Sequence, residues 1–172
     1  DPKDGIPKIY QHDRDWMEFE YRSSKLKKIK SRNKPIILSV RFQLFHNQKE
    51  EIMRKLHAFK KERTSSQPIG LSCGCVFRNP IPKELKNVIG RGSKGMPELP
   101  KERRAGYLLD QAGVKQLKIG QAEVSTKHAN FIINNDGAKA SEIRTLIEEM
   151  REKVRQKFGI TLEEEIEYVG QW

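Results

Sequence analysis

The sequence predicts an α+β fold, a small mixed sheet packed by helices, and three observations carry that expectation. Apolar residues alternate at period two over Ile36 to Phe45, they recur at helical spacing over Gln48 to Arg63 and again after Ser141, and the short strand candidates between residues 118 and 134 are separated by gaps of hairpin length. Alternating βαβ units would need long crossovers between parallel strands, so helices and strands are expected to segregate. A chain of 172 residues has room for one ordinary domain with a real core, or one domain plus part of another.

In chain order, residues 1 to 15 are polar, contain prolines and lack periodicity, which predicts a weakly ordered lead-in. Lys25 to Lys34 holds six basic residues in ten and no acid, a surface loop by composition. Ile36 to Phe45 sets Val40, Phe42 and Leu44 against Arg41 and Gln43, the pattern of a half-buried strand. Gln48 to Arg63 places Ile52, Met53, Leu56 and Phe59 on one helical stripe, expected to contact the core. Ser65-Ser66-Gln67-Pro68 stops that helix. Residues 83 to 104 are rich in Gly, Pro and Lys, the composition of an inserted loop. Arg103 to Ala112 reads as a short helix with Leu108 and Leu109 inward and Gly113 as its stop. Strands follow at Lys118 to Ile119, Ala122 to Ser125 and Asn130 to Asn134, closed by the turn Asn135-Asp136-Gly137. Ser141 caps a last helix whose Ile143, Leu146, Ile147, Met150, Val154 and Phe158 form one stripe, with Gly159 just beyond it. Glu165 to Val169 is a final strand candidate.

Lys and Arg number 34 against 23 Asp and Glu, a formal net charge of +11 with a sequence pI near 9.7. Such an excess attracts anionic partners: nucleic acid, a membrane surface or a nucleotide-linked substrate. Charge alone does not choose among these or a merely solvated basic surface. No run approaches the roughly 20 apolar residues of a membrane-spanning helix, and the opening Asp1-Pro2-Lys3-Asp4-Gly5 holds no apolar signal core. There is no internal repeat and no phosphate-binding G-x-G-x-x-G or P-loop pattern; the Gly90 to Gly95 cluster reads as loop. Cys73 and Cys75 are the only cysteines and stand one residue apart, which excludes a disulfide framework and favours a reducing compartment. Zinc sites take about four N or S ligands. No second ligand pair follows here, so no metal is expected, and two small buried thiols are the plain alternative.

Three spaced motifs carry the functional signal. Ser72-Cys73-Gly74-Cys75-Val76-Phe77-Arg78-Asn79-Pro80 sets a thiol beside glycine on a backbone that a substrate can approach closely. Asn79-Pro80 ends the strand that delivers it. Ala105-Gly106-Tyr107-Leu108-Leu109-Asp110-Gln111-Ala112-Gly113 and Lys127-His128-Ala129-Asn130-Phe131-Ile132-Ile133-Asn134 follow. In this order they resemble the UDP-N-acetylenolpyruvoylglucosamine reductase (MurB) family, whose pattern reads S-A-G-S-x-F-[KR]-N-P, A-G-x-L-I-D-x-A-G-L-K-G, I-G-G-A-x-V-S-x-K-H-A-N-F-I-[IV]-N and L-E-P-E-V-R. Phe19-Glu20-Tyr21-Arg22-Ser23-Ser24 and Ile36 to Phe42 resemble two further family stretches, so the similarity runs from about Phe19 to Gly170.

The resemblance implies a division of the chain and a chemistry. Residues 1–45 become the lead-in and the final segment of a flavin-binding domain, 46–160 the C-terminal substrate-binding domain with a basic insertion at 83–104, and 161–172 a tail carrying the acidic motif. The implied activity is that of an oxidoreductase of peptidoglycan synthesis and cell-wall biogenesis. In it, FAD and NADPH serve to reduce the enolpyruvyl ether of UDP-N-acetylglucosamine enolpyruvate to UDP-N-acetylmuramate. Enolate-like charge must be stabilised and a neighbouring carbon protonated, so the protein needs an acid and a clamp for the carboxylate.

Cys75 stands where the family has its acid serine, and a thiol of ordinary pKa about 8.5 releases a proton far more readily than an alkyl hydroxyl. Glu165 matches the second glutamate of L-E-P-E, implied to polarise or protonate the enolate. Its plain alternative is a solvated acidic tail, because Glu163, Glu164, Glu165 and Glu167 crowd together. Arg22 offers the substrate carboxylate a bidentate fork. Tyr21 beside it is implied to contact both substrate and flavin. Asn79 would bind substrate through its carboxamide, and His128 either faces substrate or is an ordinary surface side chain.

The chain also departs from the pattern. Ser66 replaces a lysine before Gln67-Pro68, Gln121 the second glycine of I-G-G-A, Glu164 the proline of L-E-P-E, and Glu167 the arginine that follows. The family's glycine-rich FAD-binding turns have no counterpart, so this chain alone is not expected to hold FAD. Two readings follow. In one, the chain is the C-terminal part of a working reductase, completed by a flavin-binding domain and acting in a bacterial cytoplasm. In the other, a reductase-like domain without its flavin half serves as a basic module in a nucleic-acid or ribonucleoprotein assembly. A plastid or another organelle is the alternative location, and no membrane partner is expected.

Overall fold

The structure, a computed structural model, describes residues 8–20, 22–29, 34–80 and 99–170. Tyr21, the first seven residues of the lead-in, residues 30–33 of the basic cluster and most of the 83–104 insertion lie outside the described residues. The chain divides into two compact units, residues 1–45 with 81–98 and residues 46–80 with 99–172.

In the first unit the basic stretch is not all loop. Lys25–Lys28 form a short helix, α1, because the Ser24 hydroxyl accepts the Lys27 N–H at 3.4 Å and Leu26 is buried. A 3₁₀ turn at Asp15–Met17 brings the Trp16 ring to 3.9 Å from His12, with the Lys25 ammonium 4.8 Å from the indole. The strand expected at Ile36 to Phe45 does not form. The segment joins no ladder among the described residues, and Ile36, Leu38, Val40, Phe42 and Leu44 are 62% to 85% exposed.

The second unit begins with helix α2, Lys49–Ser66. The expected stripe is present in sequence, but it does not touch the core: α2 buries none of its residues. After it come α3 (Ala105–Gln111), a 3₁₀ turn at Val114–Gln116, and strands β1 (Lys118–Ile119), β2 (Ala122–Val124) and β3 (Ile132–Asn134). The strands pair in order β1-β2-β3, and both pairings are antiparallel, so the sheet is not mixed. Helix α4, Ala140–Phe158, lays Leu146, Ile147, Met150 and Val154 into the core, and Gly159 ends it at φ +66°.

Ser141 does not cap α4. The Glu142 carboxylate accepts the Lys139 N–H at 3.1 Å and reaches across to the Gln121 N–H at 3.2 Å, tying the helix start to the β1–β2 turn. The core joins Val76 and Phe77, Leu108 and Leu109, the inward side of the sheet, the α4 stripe and Leu162 of the tail. No strand forms at Glu165 to Val169. Among the described residues the tail instead makes an antiparallel bridge, Glu164 to Phe77, and Leu162 is 2% exposed.

Candidate active site

Cys75 lies on a segment held from both sides. Toward β3, the Leu71 carbonyl accepts the Asn134 N–H and the Val76 N–H donates to the Asn130 carbonyl, both at 2.9 Å, with antiparallel bridges Leu71 to Asn134 and Cys75 to Phe131. Between those bridges the Cys75 segment advances four residues (71 to 75) while its partner advances three (134 to 131). The extra residue is accommodated as in a β-bulge, a device that re-aims side chains. Gly74 makes it possible with φ +87°. Cys73 and Gly74 form part of the wall of a cleft of ≈ 450 Å³, with Arg63, Gln67, Ser72 and Phe131. Cys73 is exposed, its thiol pushed up by partial desolvation, and Cys75 is half-buried.

The asparagines fix this segment. Asn130, 3% exposed, accepts the Phe77 N–H on Oδ1 at 2.9 Å and donates from Nδ2 to the Phe77 carbonyl at 2.8 Å. A carboxamide presents donor and acceptor side by side, as this requires, without a change of protonation. Asn79 Oδ1 accepts the Ala105 N–H at 2.9 Å, satisfying a donor that the first residue of α3 would otherwise leave unpaired. Gly106 then lies against the His128 ring, where an added Cβ would stand 2.9 Å from Cε1. The Ala105-Gly106 opening of the second motif therefore fits between the asparagine of the first and the histidine of the third.

His128 is not an ordinary surface side chain. Its Nδ1 accepts the Asn130 N–H at 3.2 Å and its ring meets Phe131 edge-on at 4.9 Å. Partial burial lowers its pKa below the ordinary value. As pH falls, the unfolded chain takes up this proton first. The stabilising contribution is therefore complete above about pH 6.5 and is lost as pH falls through the folded pKa. An NMR titration of the His128 Cε1 proton should give a midpoint below that of an unfolded-peptide histidine; a midpoint at or above it would contradict the burial described.

The tail closes the other side of the Cys75 segment. The Val76 carbonyl accepts the Glu165 N–H at 2.7 Å and the Glu163 carbonyl accepts the Arg78 N–H at 2.9 Å. Glu165 is thus bonded to the residue next to Cys75. The Glu164 carboxylate pairs with the Arg151 guanidinium of α4, which also lies 5.9 Å from the Phe77 ring. Burial and then the Glu164 charge raise the Tyr168 hydroxyl, and Arg144 stands 5.4 Å from its ring. This acidic stretch is anchored, not a loose solvated run.

Cys75, Asn79, His128 and Glu165 all fall in the second unit. Arg22 belongs to the first, at φ +55° in a turn where Glu20 and Ser23 exchange backbone hydrogen bonds at 3.1 Å. Sequence reasoning passed over Asn130 as a site residue. Its signal was a polar side chain just ahead of the apolar run Phe131-Ile132-Ile133.

Among the described residues no group of three or more His, Cys, Asp or Glu could hold a metal ion, and no helix is long and apolar enough to cross a membrane. The family described as UDP-N-acetylenolpyruvoylglucosamine reductase, C-terminal domain, matches residues 66–169. The UDP-N-acetylenolpyruvoylglucosamine reductase of Halalkalibacterium halodurans is 35% identical over 156 residues, covering 90% of this chain and 44% of that protein. The one from Acaryochloris marina is 35% identical over 172 residues, covering 99% and 47%. The crystal structure of UDP-N-acetylenolpyruvylglucosamine reductase (MurB) from Thermus caldophilus is similar with a TM-score of 0.52 at 30% identity, over 73% of this chain and 37% of that one. The chain spans about half the length of the curated relatives it matches. With the matched span holding the bulge, α3 and the β3 motif, the chain belongs to the UDP-N-acetylenolpyruvoylglucosamine reductase family, with its C-terminal domain at residues 66–169.

Proposed function

We propose that this chain is the C-terminal part of a UDP-N-acetylenolpyruvoylglucosamine reductase and supplies the proton-donating side of its site. The supporting observation is the interlocking of the Cys75 segment, the α3 start and the His128–Asn130 turn through Asn79, Asn130 and Gly106. FAD, reduced by NADPH, would supply the hydride from the rest of the polypeptide. The described residues do not themselves fit its diphosphate, which binds where helix-start N–H groups are open and no acid stands by. Asn79 occupies the start of α3, the Glu142 carboxylate that of α4, and Glu50 and Glu51 lie in the first turn of α2.

The work of this chain is to hold the enolpyruvyl ether and deliver one proton. Hydride and proton add across the carbon–carbon double bond, and the donor is oxidised. The Cys75 thiol gives its proton to the carbon adjacent to the one that received hydride, and the resulting thiolate takes a proton back from solvent. Glu165 polarises the enolate, Arg22 pairs with the substrate carboxylate, and Tyr21, Asn79 and His128 contact the substrate, Tyr21 on the flavin side. In this reading residues 1–45 belong with a flavin-binding domain, 46–160 form the substrate domain and 161–172 its acidic tail, and the reaction takes place in the cytoplasm.

The experiment joins this chain in one polypeptide to the portion of the Acaryochloris marina relative outside the matched span. NADPH consumption that depends on UDP-N-acetylglucosamine enolpyruvate, with formation of UDP-N-acetylmuramate, is the expected result. A folded, flavin-loaded protein that consumes no substrate would refute the proposal.

A further inference from the structure

The geometry points to Cys73 and Cys75 as a reversible dithiol–disulfide pair that withdraws Cys75 as proton donor when a low-molecular-weight disulfide is present; this rests on the function proposed above. Both cysteines carry thiols in the structure, Cys73 exposed and Cys75 half-buried. In a fully extended chain, Cα atoms two residues apart stand about 7 Å from each other, beyond the roughly 4.4 to 6.8 Å that a disulfide spans. Gly74 removes that obstacle, because the chain bends there at φ +87° and its neighbours approach more closely than in an extended strand. An added Cβ at Gly74 would meet nothing within 4 Å, so open space adjoins the pair. Cys73 also falls inside the bulge, between the bridges Leu71 to Asn134 and Cys75 to Phe131, where it has no ladder partner of its own among the described residues.

The exposed thiol reacts first. Cys73, in the wall of the cleft, attacks one sulfur of the small disulfide as its thiolate, forms a mixed disulfide and releases one small thiol. The Cys75 thiolate then attacks the Cys73 sulfur and releases the second. Two protein thiols are oxidised, one small disulfide is reduced to two thiols, and the two protein protons pass through solvent to the departing thiolates. Partial desolvation keeps Cys73 protonated, which slows the first exchange, but the reduction potential decides whether the bond stands at equilibrium. A bond across one intervening residue closes a small, strained loop, and strained or exposed disulfides are the readily reduced, regulatory ones. In a reducing compartment such bonds are transient and redox-sensing. With its sulfur in the bond, Cys75 has no proton to give. Neither cysteine belongs to the core cluster, so closure leaves the fold intact.

Incubation of this chain with glutathione disulfide, followed by an acid quench, iodoacetamide and mass spectrometry, tests the inference. The product should be a monomer lighter by two hydrogen atoms that takes up no iodoacetamide, and dithiothreitol should reopen it. In the joined polypeptide, closing the pair should lower substrate turnover by about 100-fold or more, the contribution of a positioned acid, and dithiothreitol should restore it. Cys73→Ala should keep its turnover through the same exposure, because attack must then begin at the half-buried Cys75. Glutathione left on the cysteines, a bond between two chains, an equal loss in Cys73→Ala, or full turnover with the pair closed would each overturn the inference. A pair that closes and reopens in a joined polypeptide that, reduced and flavin-loaded, never consumes substrate would leave the disulfide standing and remove the reductase function instead.

Discussion

Replacing Cys75 by alanine, in a polypeptide that joins this chain to a flavin-binding portion, is expected to lower turnover of UDP-N-acetylglucosamine enolpyruvate about 100-fold to 10,000-fold, the usual contribution of a positioned acid. Flavin reduction by NADPH should be nearly intact, because the acid acts only once substrate is present. Cys75→Ser restores the family's hydroxyl and should recover much of the loss. Cys73→Ala should be close to silent, since Cys73 is exposed and its thiol is pushed toward the protonated, less reactive form. Stopped-flow measurement of the two half-reactions checks all three variants. If Cys75→Ala turned over as fast as the parent, the thiol would be only a small packing group and the mechanism would fall.

The second large effect is on stability. Asn130→Ala removes both Asn130 partners of the Phe77 backbone, whose N–H and carbonyl are bonded at 2.9 and 2.8 Å in a residue only 1% exposed. Each buried group left unpaired costs about 1 to 3 kcal/mol, so unfolding should become easier by roughly 2 to 6 kcal/mol in denaturant titration. Asn130→Asp keeps the acceptor but sets a second acceptor against the Phe77 carbonyl, so it should rescue little. A loss under about 0.5 kcal/mol for the alanine variant, the range of an ordinary surface change, would mean that the clamp does not hold the Cys75 segment.

Much of the second unit was legible because its signals are local. The α4 stripe of Leu146, Ile147, Met150 and Val154 and the stop at Gly159 need only a helical period and one left-handed residue. The three strands were placed to within two residues at each end for the same reason. The failures share a different cause. Period two at Ile36 to Phe45 and the stripe on α2 report what a segment would bury, not whether a covering surface lies within the chain, and both remain exposed. Six basic residues in ten hid α1, because its Ser24 cap outweighed composition at that point.

The candidate site was legible as motifs but not as geometry. The order of the motifs suggested the family that the chain belongs to, and Cys75, Asn79, His128 and Glu165 were implied by that resemblance. The clamp from Asn130 to Phe77 spans 53 residues and the bond from Asn79 to Ala105 spans 26, distances over which no local pattern carries information. Glu164 illustrates the same limit. In sequence it belongs to a crowd of acids, whereas in the fold it pairs with Arg151 and makes an isolated bridge to Phe77. The reported relatives are all reductases by description, which favours that reading over a nucleic-acid module.

The most direct test of Cys75 as the proton donor is the pH dependence of substrate reduction by the joined polypeptide, compared between the parent and Cys75→Ser. A thiol acid loses its proton within the accessible alkaline range, its ordinary pKa being about 8.5, whereas an alkyl hydroxyl does not titrate there. The rate of the parent should therefore fall on an alkaline limb that is absent from Cys75→Ser. The same alkaline limb in both proteins would place the titrating acid elsewhere and contradict the assignment of Cys75.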